Sequence, residues 1–142
     1  MKTVCFVDSN LWLYAYLSDQ DPAKRQSLER TMAARPCRWV ISTQVVAEVG
    51  CNLLKKGRLP EDELRNILTL LQRACDCVPV TVDTGLEASR LRETLAISYW
   101  DSLIIASALE SGCNELWSED LQHGQVIDNR LHIVNPLVSR GI

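Results

Sequence analysis

The sequence predicts an α/β protein built on a doubly wound, mainly parallel sheet of about five strands, with helices on both faces. Short apolar stretches alternate along the chain with longer segments of helical pattern. Thr3–Val7 is apolar on both faces, as expected for a strand buried between two helical layers. Such alternation favours right-handed crossovers between parallel strands.

The predicted strands share short length and apolar character. They are Thr3–Val7, Trp39–Ile41, Val78–Val80, Glu115–Trp117 and Leu131–Val134. Because proline cannot donate a ladder hydrogen bond, Pro79 places the third of these at a sheet edge.

The predicted helices have recognisable ends. Asp21 is a suitable N-cap, Pro22 suits a first helical position, and Gly57 is a typical helix stop. The predicted helices begin near Leu11, run from Pro22 to about Ala34 and from Thr43 to about Lys56, begin at Pro60, and run from about Thr84 to Leu95 and from Tyr99 to Gly112.

Composition indicates one ordinary globular domain spanning residues 1–142, with 46% hydrophobic and 23% charged residues. No apolar run approaches the roughly 20 residues of a membrane span. No signal peptide is recognised, so we expect a cytoplasmic protein whose six cysteines are reduced, structural or incidental thiols. The net charge of −3 argues against binding nucleic acid through bulk electrostatics.

Four acids lie where a parallel sheet places its ligands, beyond the carboxyl ends of strands. Asp8 follows the first strand, Glu48 lies in a helix after the second, Asp101 opens an apolar helix, and Asp120 follows the fourth strand. Each has a structural alternative, as a cap, an exposed helix position or a turn residue. Glu119 competes with Asp120, and spacing alone does not separate them.

If these acids converge at one rim, they cannot all stay ionised without a cation. Clustered oxygen ligands suit Mg²⁺ or Mn²⁺, which accept substrate phosphates. Such an ion generates a hydroxide nucleophile and neutralises the attacked phosphate. The pattern therefore indicates metal-dependent phosphodiester hydrolysis.

The chain resembles the PIN-domain nucleases, and most closely the VapC-type toxins of bacterial toxin–antitoxin pairs. The segments that carry the resemblance are Phe6–Asn10, Ser42–Glu48, Tyr99–Ala108 and Ser118–Gly124. Each is a weak pattern alone, whereas all four in this order and at these separations are specific.

The resemblance implies an endoribonuclease in which Asp8, Glu48, Asp101 and Asp120 bind one or two Mg²⁺ or Mn²⁺ ions and position the attacking water. It implies supporting roles for Ser9 or Asn10 and for Ser118, with Glu119 kept as a further candidate. It also implies a homodimer, a VapB-type antitoxin that blocks the site, and structured RNA such as tRNA as the target.

The four acids are also compatible with a function that is not catalytic. A non-catalytic RNA- or partner-binding module would keep the acids for structure alone.

Trp12, Trp39 and Trp117 adjoin apolar runs and are predicted to lie in the core, while Trp100, beside Asp101, is the candidate for stacking on a base. His123 is predicted to be a polar loop residue. Receiver domains need paired acids at the end of the first strand and a lysine after the last strand, and aspartate phosphatases need a second aspartate two residues after the first. Asn10 and Asn135–Pro136 provide neither the acid nor the lysine.

Overall fold

A computed structural model describes residues 2–17 and 21–138 of the protein. Within that part of the chain, six strands form one sheet in the order β3-β2-β1-β4-β6-β5. The strands are β1 (Thr3–Val7), β2 (Cys37–Ser42), β3 (Asp76–Val78), β4 (Glu115–Trp117), β5 (Val126–Ile127) and β6 (Leu131–Val134). Every neighbouring pair is parallel except β5 with β6, which is antiparallel.

Six α-helices are interspersed with these strands in the described residues. They are α1 (Ser9–Tyr16), α2 (Pro22–Ala34), α3 (Thr43–Asn52), α4 (Glu61–Ala74), α5 (Val82–Arg92) and α6 (Tyr99–Glu110). A π turn, Leu53–Gly57, continues α3. The predicted fold class, a mainly parallel α/β sheet covered by helices, is confirmed.

The sheet has one strand more than the five predicted. β5 is two residues long and lies at the edge, so it has too little periodicity to be recognised from sequence. β3 ends at Val78, immediately before Pro79, rather than continuing to Val80. It is the opposite edge strand, in agreement with the constraint that proline imposes.

Polar side chains cap the starts of α3 and α6. Ser42, rather than Thr43, caps α3, since its hydroxyl accepts a hydrogen bond from the Val45 amide. The helical run after α3 stops at Arg58, which is left-handed with φ 49°, and not at the predicted Gly57. Ser98 caps α6 by accepting from the Asp101 amide.

The core lies on both faces of the central strand. Cys5, Phe6 and Val7 of β1 have no exposed surface, and consecutive strand residues point to opposite faces. α6 is buried from Ser102 to Leu109. Cys5 and Cys113 are buried thiols, whereas Cys51 is exposed. None of the helices in residues 2–17 and 21–138 is long and apolar enough to cross a membrane.

Candidate active site

Asp8 directly follows β1 and simultaneously caps α1. Its Oδ1 accepts a hydrogen bond from the Ser9 amide at 2.7 Å, so it has the capping role that was the structural alternative. Its Oδ2 accepts from the Ser118 hydroxyl at 2.8 Å and from Asn10 Nδ2 at 3.3 Å. Asp8 is only 6% exposed, and every donor it meets is neutral.

The environment of Asp8 disfavours its charge. Burial raises the pKa of the Asp8 carboxyl, and the nearby charges of Asp120 and Asp101 raise it further. The hydrogen bonds from Ser118 and Ser9 oppose this shift without cancelling it. A buried carboxylate facing other carboxylates is a site that gains stability from an added cation.

Asn10 and Ser118 join the ends of β1 and β4. Asn10 Nδ2 lies 3.2 Å from Ser118 Oγ and 3.1 Å from Asp120 Oδ2. The Asn10 side-chain carbonyl accepts from the Glu119 amide at 3.2 Å, and Ser118 Oγ accepts from the Asp120 amide at 3.2 Å. These neutral groups therefore hold Asp120 beside Asp8.

Glu48 approaches the same rim from α3. Ser9 Oγ lies 3.4 Å from Glu48 Oε1 and 3.5 Å from Asp8 Oδ1, so one hydroxyl is shared between two acids. Burial, followed by the charge of Asp8, raises the pKa of Glu48 to about 6. Asp101 and Asp120 add to this rise, whereas the Ser9 hydrogen bond opposes it.

Asp101 reaches the cluster from the first turn of α6. Its charge acts on both Asp8 and Glu48. Asp101 and Asp120 together line a cavity of about 410 Å³. The structure thus brings all four predicted acids to one rim, from four different segments of the chain.

Glu119 faces away from this cluster. The Tyr14 hydroxyl donates to Glu119 Oε1 at 2.6 Å, and Lys24 Nζ lies 2.9 Å from Oε2. Partial burial tends to raise the pKa of Glu119, but the hydrogen bonds from Tyr14 and Lys24 outweigh it and lower the pKa. Geometry therefore places Asp120, not Glu119, with the other acids.

No lysine or arginine in the described residues forms an ion pair with Asp8, Glu48, Asp101 or Asp120. In the same part of the chain, no three His, Cys, Asp or Glu side chains stand in an arrangement ready to hold a metal ion. The fit to a cation therefore depends on the donors themselves, which are hard oxygen ligands, with the pKa raised at Asp8 and Glu48. Mg²⁺ keeps several waters and needs only one or two direct carboxylates, which this rim offers.

Sequence reasoning missed three residues beside the acids. Tyr14 and Lys24 hold Glu119, and neither carries a local signal for that role. Gln44, one helical turn before Glu48, donates from Nε2 to the Trp100 carbonyl at 3.1 Å and so joins α3 to α6. His123 accepts from the Asn135 amide at 2.9 Å, a contact within the loop region.

The fold and this rim of acids define a family. The family model of the PIN domain matches residues 5–127, and the chain belongs to the PIN-domain family. No curated protein is significantly similar to the chain.

Solved toxin structures share the fold at low sequence identity. VapC20 of Mycobacterium tuberculosis, described as a toxin that cleaves the sarcin–ricin loop, is 17% identical with a TM-score of 0.66, over 82% of this chain and 91% of that one. A toxin–antitoxin complex from Klebsiella pneumoniae is 17% identical with a TM-score of 0.68, over 93% and 97%. VapBC2 of Rickettsia felis, bound to a promoter DNA fragment, is 17% identical with a TM-score of 0.65, over 94% and 100%.

Proposed function

We propose that the protein is a Mg²⁺- or Mn²⁺-dependent endoribonuclease and the toxin of a toxin–antitoxin pair. The observation that carries the proposal is the state of Asp8. This carboxylate is nearly completely buried, meets only neutral donors, and faces three other acids from different segments. A structural carboxylate has no need of such neighbours.

The four acids would hold the metal ion. Asp8 is the most constrained of them, because Ser9, Asn10 and Ser118 fix both of its oxygens. Glu48, Asp101 and Asp120 come from three other segments, and Asp101 and Asp120 line one cavity. When bound, a divalent ion supplies an activated water and neutralises charge on the attacked phosphate.

The chain's own residues prepare this site in two ways. Ser9, Asn10 and Ser118 hold the acids together although the acids repel one another. Burial and the charge of Asp8 raise the pKa of Glu48 to about 6 in the absence of metal. A bound cation lowers the pKa of such a group and favours its ionised form.

The choice of RNA as substrate is supported by VapC20 of Mycobacterium tuberculosis, whose description states that it cleaves the sarcin–ricin loop. A VapB-type antitoxin as partner is supported by the toxin–antitoxin complexes of the same fold. A homodimer, a cytoplasmic location and structured RNA such as tRNA as target complete the proposal.

The test is cleavage of structured RNAs by the purified protein with Mg²⁺, with Mn²⁺ or with chelator. We expect metal-dependent cleavage, and a loss on the order of 10²–10³-fold in Asp8→Asn and in Asp101→Asn, the size typical for losing one preorganised charge-stabilising group. Glu61→Gln is the matched control, since Glu61 lies in the first turn of α4.

Cleavage that persists unchanged in both aspartate variants would contradict the proposal. RNA or partner binding that tolerates both changes, with no turnover under any metal, would instead support the non-catalytic module.

A further inference from the structure

Trp100 differs from the other tryptophans in its exposure. Trp117 is completely buried and Trp12 is 9% exposed, whereas Trp100 is 66% exposed. Tyr99 packs edge-on against Trp100, with ring centroids 6.4 Å apart and an interplanar angle of 67°. A large indole held at the surface beside a catalytic candidate leaves apolar area without a partner.

Trp100 forms one wall of a pocket that adjoins the acids. The pocket has a volume of about 510 Å³ and is lined by Thr43, Gln44, Ala47, Glu48, Cys51, Val80, Trp100 and Leu103. This volume falls within the roughly 300–1,000 Å³ typical of small-molecule sites. Since Glu48 belongs both to this pocket and to the rim of acids, a group bound here lies next to the reacting phosphate.

The pocket wall contains an unsatisfied acceptor. Gln44 is 9% exposed, and its Nε2 donates a hydrogen bond to the Trp100 carbonyl. Its Oε1 is buried and has no hydrogen-bond partner among the described residues. Because that oxygen has no accessible surface, it does not face the pocket, and the role of Gln44 here is to fix the backbone of Trp100.

Charge limits the class of occupant. Glu48 is the pocket's one carboxylate, and no lysine or arginine lines it. The pocket therefore suits a flat, uncharged group rather than a phosphate.

We propose that this pocket binds one nucleobase of the RNA strand, stacked on Trp100, next to the phosphate held at the acids. The inference rests on the proposed nuclease function and adds a specificity-determining residue to it. A nucleobase is flat and uncharged, and an RNA strand that places its phosphate at the acids brings the attached base to the neighbouring pocket, where Trp100 offers a stacking surface.

Equilibrium binding of a pentaribonucleotide tests the inference without turnover, in the Asp101→Asn background with Mg²⁺. We expect Trp100→Ala to weaken binding about tenfold or more, the effect typical of losing one stacked base, and Trp100→Phe to retain most of the affinity. Leu70→Ala is the matched control, because Leu70 is a similarly exposed apolar residue (54%) on α4.

A scan with one abasic nucleotide at each position identifies the stacked base. Removing that base should weaken binding to the Trp100 protein about tenfold and leave binding to Trp100→Ala almost unchanged, because the contact is already lost. An equal loss in both proteins at every position would overturn the inference.

The two proposals fail in different ways. Metal-dependent RNA cleavage combined with unaltered RNA binding in Trp100→Ala refutes base stacking and leaves the nuclease proposal standing. Stacking-dependent RNA binding without cleavage under any metal refutes the nuclease and keeps the base pocket. A Trp100→Ala defect confined to binding of a protein partner assigns the pocket to that partner and overturns the inference.

Discussion

Two carboxylates at the central strands of the sheet, Asp8 directly after β1 and Glu115 at the start of β4, have opposite surroundings. Glu115 begins β4 and accepts two hydrogen bonds from Arg35, at 3.0 and 3.2 Å, and a third from Trp117 Nε1 at 2.8 Å. Asp8 follows β1 and meets only neutral donors and other acids.

The comparison separates an acid that has a cationic partner from one that has none among the described residues. The guanidinium group of Arg35 pairs with Glu115 and also lies 5.6 Å from the centroid of the Trp117 ring. Among the described residues, no lysine or arginine forms an ion pair with Asp8. Glu119 and Asp120 repeat the contrast over adjacent residues, since Lys24 pairs with Glu119 and Asn10 holds Asp120.

Of the changes that test this contrast, we expect the largest effect on the rate of RNA cleavage from substitutions at the adjacent residues Glu119 and Asp120. Asp120→Asn should lower the rate of RNA cleavage about 10²–10³-fold, as expected for Asp8 and Asp101, because one charged group of the metal site becomes neutral. Glu119→Gln should change the rate by less than about threefold, since Glu119 contacts Tyr14 and Lys24 instead. Single-turnover cleavage assays measure both.

Each variant of this pair serves as the other's control, since the two positions share a loop. A greater loss in Glu119→Gln than in Asp120→Asn would make Glu119 the fourth acid.

Glu115 should matter for stability and not for chemistry. Glu115→Ala should lower the free energy of unfolding by about 2 kcal/mol, because it leaves a partly buried Arg35 and the Trp117 indole N–H without their acceptor. Cleavage per folded molecule should be unchanged. Urea unfolding and active-site titration measure the two quantities.

Glu29→Ala is a suitable control for this experiment, since Glu29 forms an exposed ion pair with Arg25. A loss of cleavage in folded Glu115→Ala would mean that the two carboxylates do not have separate roles.

The smallest expected effect is the pH dependence of metal-free stability. The pKa of Glu48 is raised by folding to about 6, so its contribution to stability is complete below about pH 4.5 and is lost as the pH rises through 6. Asp8 acts in the same direction. For Glu48 alone, after allowance for its partial exposure, we expect a loss of about 1 kcal/mol.

Urea unfolding in chelator between pH 4.5 and 7.5 measures this loss. Glu48→Gln should lack its share of the decline, and Mg²⁺ should restore the stability of the unaltered protein at pH 7.5. An identical pH profile for Glu48→Gln would contradict the raised pKa.

Local signals were sufficient for much of the fold. β1, β4 and β6 have the predicted bounds because short apolar runs flanked by polar residues are unambiguous there. The start of α2 at Pro22 follows from Asp21, whose carboxylate accepts from the Ala23 and Lys24 amides. Asp8, Asp101 and Asp120 could be named because each follows a strand end or opens a helix, whereas Glu48, inside α3, was named from the family resemblance.

Only the tertiary structure decided which acids share an environment. Glu119 and Asp120 are neighbours in sequence with nearly the same chemistry, and they are separated by contacts with Lys24 and Asn10, each about a hundred residues away. The exposure of Trp100 and the pairing of β5 likewise depend on what the rest of the chain leaves uncovered. The sequence alone determined the fold class and the set of candidate acids, because these depend on local pattern; the tertiary structure decided their roles, because burial and charge pairing depend on residues distant in the chain.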